Sequence, residues 1–311
     1  MRAGDLIPSR TPIDPAQPLK GFKPATDFFL GLDSDGCVFD TMEIKHRECF
    51  CPWTIAHFGL QPVARAVREC QDFADLFSQT RGANRHESLR RILAELLPAH
   101  PIVKGRRFKV PQLPHYFEWV ADPNSVLSSD GLKQAVARAQ GDAKKELEHV
   151  LAWNERVDWA VEKIVRNIPP FPFVRESLQK MQGRADVVVL STAPGETLVR
   201  QWQEYDLVQY IAVFAGQEMG TKARHLQYAT QKRYPENHVL VVGDAPGDLK
   251  AARENHALFF PITPGLEDDS WRRFHNEALE RFLRGQYAGA YERKLLDEFD
   301  RRLPERPPWN R

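Results

Sequence analysis

FFLGLDSDGCVFD, residues 28–40, decides how the rest of the chain is read. Residues 28–32 form an apolar run without polar alternation, which predicts a strand buried on both faces of a parallel sheet. The run stops at two carboxylates one residue apart, Asp33 and Asp35, with Gly36 behind them. Strand alternation sends both side chains the same way, and in an open α/β sheet the carboxyl ends of the strands border the ligand crevice. Two acids a few ångströms apart repel, so they want a shared proton or a hard divalent cation, and Mg2+ suits an all-oxygen site. Alone, so short a stretch is more often a strand running into an Asp/Gly turn. Three later fragments turn the balance towards a site.

The first is the β-branched run at 187–190, again unalternated, which ends in Ser191 and Thr192 before the next helix. A hydroxyl and free N–H groups at a helix start hold phosphate oxygens, although a strand-end Ser/Thr on its own is an ordinary cap. The second is Lys222 at the start of a helix, which by itself is a solvated lysine. The third is the strand at 239–242 followed by GDAPGD, where Asp244 ends the strand and Asp248 lies four residues on. One helical turn separates them, so both face one point. Taken together, Asp33 supplies an attacking carboxylate and Asp35 an acid/base. Ser191 and Lys222 supply donors for anionic oxygens, and Asp244 and Asp248 complete a cation site with Asp33 and Asp35. That set is what phosphoryl transfer through an aspartyl phosphate requires, because cationic charge lowers the repulsion between a carboxylate and a phosphate dianion.

Outside these fragments the chain is ordinary. At 311 residues, 42% hydrophobic and with net charge +1, it is long enough for two domains and carries no electrostatic footprint for nucleic acid or membrane. The proline-rich first 24 residues lack the apolar centre of a signal peptide, and no 18-residue apolar run predicts a membrane span. Cys37, Cys49, Cys51 and Cys70 include no CxxC pair, so neither a zinc site nor a disulfide framework is expected and a reducing cytoplasm fits. Cys37 has no evident His partner and is not expected to be a nucleophile.

From residue 41 to about 169 the pattern is helical. Helices are expected at 44–60, at 63–77 and from about 86 to 97, and 132–168 is again helical, with an irregular, proline-rich stretch at 98–130. Arg81 and Arg85 flank Gly82 in a basic loop. They form either a solvated helix entry or a surface that grips phosphate through planar guanidinium forks. Trp153 and Trp159 are expected in the core of this block. After residue 263, two amphipathic helices, 269–284 and 288–303, are expected to pack on the core or on a second subunit, with the terminal RPPWNR frayed.

The ordered set LDSDG at 32–36, VVVLS at 187–191, Lys222 and VVGDAPGD at 241–248 resembles the haloacid dehalogenase superfamily. That resemblance implies an α/β fold with a Rossmann-like parallel core at 26–40 and 170–263, an N-terminal extension at 1–25, an inserted all-helical cap at 41–169 and a helical extension at 264–311. It implies Asp33 as nucleophile and Asp35 as general acid/base that also offers its backbone carbonyl to Mg2+. It further implies Ser191 and Lys222 as phosphate holders, Asp244 as metal ligand and Asp248 as its support. Within the superfamily, DGCVFDT at 35–41 and TRGANRHESLRRIL at 80–93 are similar to the β-phosphoglucomutase and phosphoglycolate phosphatase branch, which puts Arg81 and Arg85 among the substrate-binding candidates, beside Lys45 and the strand-end Thr192.

This sequence carries Lys45, with His46 beside it, where the mutase has a histidine, and Gly243 where it has a glutamate. A mutase must return phosphate to sugar rather than water, so losing that histidine favours a phosphatase acting on a small phosphorylated metabolite over a sugar phosphomutase. Asp35 argues against dehalogenation, and no lysine shows the surroundings that phosphonate hydrolysis needs. A non-catalytic binding protein on the same scaffold is the reading that the intact acids and lysine disfavour.

Overall fold

The computed structural model describes residues 14–310; the first thirteen residues of the expected N-terminal extension, and Arg311, lie outside this range. Five strands, β1 (Phe29–Leu32), β2 (Asp186–Leu190), β3 (Val213–Ala215), β4 (Val239–Gly243) and β5 (Leu258–Pro261), make one sheet in the order β3-β2-β1-β4-β5. All four pairings are parallel. Every residue of β1 and β2 is buried, as unalternated apolar runs require in a sheet covered on both faces. Side-chain alternation divides the strands between two apolar clusters. Leu30, Val187, Val189, Leu240, Val242 and Phe260 enter one cluster, while Phe29, Val188, Leu190, Val241 and Phe259 enter the other. Central β1 pairs Leu32 with both Val189 and Val242. That register sets Asp33 beside the ends of β2 and β4, where Ser191 and Asp244 follow.

The chain leaves and re-enters this core through neighbouring segments. The Phe171 N–H donates to Val38 O at 2.9 Å, and Phe39 bridges Pro170. Between them residues 41–164 are entirely helix and loop around a separate apolar cluster that includes Phe50, Val67, Leu93, Tyr116 and Trp153. Three long helices cover residues 41–57, 61–76 and 85–99, the first with a π-helical turn at Lys45–Phe50.

Several expectations for this block are corrected. The proline-rich stretch contains two short helices, Pro101–Gly105 and Pro114–Ala121, each with proline in its first turn, where the missing N–H costs nothing. The stretch expected to be helical over 132–168 is so, as two helices, Ser129–Arg138 and Gly141–Ile164. Extended backbone at Ala139 and Gln140 separates them. Trp153 is buried, but Trp159 is 56% exposed.

Residues 267–283 and Ala290–Arg302 form the two C-terminal helices, which pack on the core through Trp271, Phe274, Phe282 and Phe299, with Tyr287 of the connecting loop. The terminal segment, as far as its described residues go, is packed and not frayed. Gln79 Nε2 donates to Leu303 O at 2.8 Å, and Trp309 packs against Phe73 and His100 of the helical block, with ring centroids 5.7 and 4.8 Å away. An indole between two rings offsets the entropy that would otherwise free a terminus. Among the described residues no helix is long and apolar enough to cross a membrane.

Candidate active site

The strand-end loop after β1 is shaped by its own sequence and held from far away. Gly36 takes φ +77°, where a side chain would be strained. A Cβ there would stand 2.6 Å from Asp244 Oδ2 and 2.8 Å from Arg81 Nη2. Val38 and Phe39 N–H groups fold back onto Ser34 O, and the Gly36 N–H donates to Phe39 O. Two buried tryptophans then pin the loop: Trp202 Nε1 donates to Ser34 Oγ at 3.0 Å and Trp271 Nε1 to Cys37 O at 2.7 Å. Cys37 is fully buried, and burial pushes its thiol well up, so it serves the core rather than nucleophilic chemistry.

The strand ends at Leu32, and past this tight turn Asp33 and Asp35 take different partners. Asp33 faces Lys222, whose Nζ lies 2.8 Å from its Oδ1. The Asp35 carboxylate instead accepts from Thr41 Oγ1 at 2.5 Å and from Lys45 Nζ at 2.6 Å. Burial would raise Asp35, but Lys45 and the two hydrogen bonds outweigh it and hold the acid below its ordinary value.

The carboxylates that do converge are Asp33, Asp244 and Asp248. One oxygen from each lies within 4.8 Å of the others, and all three residues are buried. Gly243 makes this possible, because a Cβ on it would come within 2.6 Å of the Asp248 side chain. Asp248 reaches back over that gap, accepting the Ala245 N–H on Oδ2 at 3.1 Å and Lys222 Nζ on Oδ1 at 2.5 Å. Lys222, the first residue of the Lys222–Thr230 helix, thus bridges Asp33 and Asp248. Burial raises Asp33 well above its ordinary value. Lys222 opposes the rise, and Asp248 and Asp244 add to it. Asp244 is raised by burial as well, against the pull of Arg81.

Asp244 Oδ1 is buried with no hydrogen-bond partner. A buried anionic oxygen without a donor is costly unless a cation meets it, so the donor set fits a hard divalent ion. Asp33, Asp244 and Asp248 would hold it; the Asp35 side chain lies outside the cluster, engaged by Thr41 and Lys45.

The remaining candidates are placed as follows. Ser191 is buried after β2, where its Oγ accepts the Ala193 N–H at 3.1 Å; Thr192 beside it is exposed. The Gly195 N–H, at the start of the following helix, is taken by Glu218 Oε2 at 3.2 Å. Arg81 is buried on Asp244 rather than presented on an open loop, with Nε 2.7 Å and Nη2 2.6 Å from Oδ2. Arg85 is not brought to the carboxylates by its contacts. Its guanidinium hydrogen-bonds Asn154 and Asp158 of the Gly141–Ile164 helix and stacks over Phe50 at 5.0 Å. Thr41, Trp202 and Trp271 escaped the sequence reading as site-forming residues. Thr41 had a local signal in the DGCVFDT run, whereas two tryptophans 168 and 234 residues from their partners had none.

No family model matches this chain, and no curated protein matches it. Several solved structures are similar to it at low identity. A predicted phosphoglycolate phosphatase from Haemophilus somnus is 12% identical, with 78% of this chain and 87% of that one covered at a TM-score of 0.47. A haloacid dehalogenase-like hydrolase from Streptococcus pneumoniae is 13% identical, covering 81% and 92% at 0.41. A subfamily IA hydrolase of that superfamily from Geobacter sulfurreducens is 13% identical, covering 76% and 87% at 0.36.

Proposed function

We propose that this chain is a Mg2+-dependent phosphatase of the haloacid dehalogenase type, acting on a small phosphorylated metabolite through an aspartyl phosphate on Asp33. The observation that carries the reading is the meeting of Asp33, Asp244 and Asp248 around Lys222 at the carboxyl end of a parallel sheet. In this reading an Asp33 oxygen attacks phosphorus and the bond to the leaving oxygen breaks as that oxygen takes the proton of Asp35, which enters the step in its acid form and is left a carboxylate. Water then attacks the phosphoryl group, with Asp35 accepting its proton, and phosphate leaves. Lys222 holds the nucleophile and offsets charge on the phosphoryl oxygens, with Ser191 as a neighbouring hydroxyl. A divalent cation held by the three carboxylates would supply further positive charge at those oxygens.

The helical residues 41–169 are assigned as a cap that excludes water, with Lys45 and Arg81 its contributions at the site. Four buried thiols suit a reducing compartment such as the cytoplasm. The test is phosphate release from a panel of sugar phosphates, phosphoglycolate and nucleotides, with Mg2+ or with EDTA. Metal-stimulated release that Asp33→Asn abolishes supports the reading. Release indifferent to both sinks it, and movement of phosphate to a second hydroxyl of the same sugar would reassign the enzyme as a mutase.

A further inference from the structure

A cation supplied by the chain itself sits on the carboxylate centre. Arg81 places both Nε and Nη2 on a single oxygen, Asp244 Oδ2, while Nη1 donates to Leu76 O at 3.0 Å. The two side chains are 3% and 1% exposed, so water screens the pair little. The loop that carries Arg81 is built rather than slack. Thr80 Oγ1 donates to Ala74 O at 2.7 Å and lies 2.9 Å from Ser78 Oγ, Arg91 hydrogen-bonds Thr80, and the Arg81 N–H donates to Ser78 O. Gly82, at φ +77°, lets this loop lie against the residue after Asp244: a Cβ on it would stand 3.0 Å from that of Ala245. The helical block therefore delivers a preorganised guanidinium to an acid that also belongs to the proposed cation site.

We infer that Arg81 and a divalent cation compete for Asp244, which makes Arg81 an electrostatic lock between the helical block and the sheet. The inference rests on the proposed cation site. Two like charges on one buried carboxylate repel, so loading the cation weakens the Arg81 contact and, with it, the docking of the 77–84 loop. A guanidinium withdrawn from a buried pair needs another anion, because an uncompensated buried charge is strongly unfavourable. A phosphoryl group provides that anion. Cation and phosphate should therefore bind cooperatively in the wild type, each strengthening the other by the same factor.

Mn2+ binding to the full chain, followed by electron paramagnetic resonance, tests this without any turnover. Arg81→Gln is expected to bind Mn2+ about tenfold or more tightly than wild type when phosphate is absent. Inorganic phosphate is expected to strengthen Mn2+ binding in wild type and to change it far less in Arg81→Gln. Thermal melting adds an independent readout: Arg81→Gln should melt lower without Mn2+ and recover more than wild type on adding it. If Arg81→Gln folds poorly, Arg81→Lys keeps a charge but cannot span Leu76 O and Asp244 together, and should fall between the two. Equal or weaker Mn2+ binding in both variants, with Asp244→Asn abolishing it, would overturn the lock and leave the cation site standing. Mn2+ binding undetectable in every variant, or indifferent to Asp244→Asn, would overturn the cation site and the lock with it.

Discussion

Asp75 in the helical block and Asp33 at the sheet are both buried acids, yet their surroundings are opposite. Asp75 is saturated with partners: Ser88 donates to Oδ1, Gln71 to Oδ2, and His46 Nδ1 lies 2.8 Å from Oδ2. Burial works against its charge, but His46 and these hydrogen bonds prevail and hold it below its ordinary value. Asp33 has one cation, shared with Asp248, and two acids for neighbours. Its charge is stabilised too little for its burial, and it is pushed well up. A carboxylate that has all its donors holds a structure together. One that lacks them stores unfavourable electrostatics that added positive charge would relieve.

The contrast breaks most decisively at Asp33. Asp33→Asn should lower phosphate release by about 10^4-fold or more, because the proposed nucleophile is lost outright. The same change removes a poorly compensated charge, so its melting temperature should equal or exceed that of wild type. A large drop in melting temperature would place Asp33 with Asp75.

Asp75→Asn should do the reverse. Losing the ionised hub of His46, Gln71 and Ser88 is expected to cost about 2–3 kcal/mol of stability, read from urea midpoints, while phosphate release per folded molecule changes little. Loss of activity without loss of stability would contradict this assignment.

Acid unfolding sharpens the comparison from another side. His86 in the helical block and His225 beside the core are buried, and burial lowers both from 6.5 to about 4. Between those values the unfolded chain binds protons that the folded chain refuses, so stability is full above pH 6.5 and falls as pH drops towards 4. The loss is up to about 3 kcal/mol for each. Asp33 runs the other way: its raised value means that the folded state takes up protons more readily as pH falls. The urea midpoint of His86→Gln or His225→Gln should therefore fall less between pH 7 and pH 5 than that of wild type. An unchanged slope would exclude these histidines as its cause.

The smallest expected effect is at the terminus. Trp309→Ala removes the ring that packs on Phe73 and His100 and should cost about 1–2 kcal/mol, with a proteolytic cut after Leu303 becoming faster. Unchanged melting and cleavage would show that the tail carries no load.

Where patterns are local, the sequence was a good guide. The strands containing 29–32, 187–190 and 239–242 follow from unalternated apolar runs, and the acids at their ends follow from the same runs stopping. The fifth strand, Leu258–Pro261, was not anticipated. Four apolar residues closed by proline carry no period that separates strand from buried loop. The joint position of Asp33, Asp244, Asp248 and Lys222 was legible because each lies at or near a strand end. The orientation of Asp35 was not, since it depends on a tight loop and on Lys45 reaching across from the next helix. Nor was the destination of Arg81 or Trp309: both contacts join residues more than 160 positions apart, and no local propensity encodes such a pairing.

The most direct test is to quench the protein while it is incubated with a phosphomonoester and Mg2+, digest it, and locate the phosphoryl group by mass spectrometry. The account predicts an alkali-labile phosphate on Asp33, which disappears in Asp33→Asn and without Mg2+. Phosphate on another side chain, or undiminished turnover by Asp33→Asn, would contradict it.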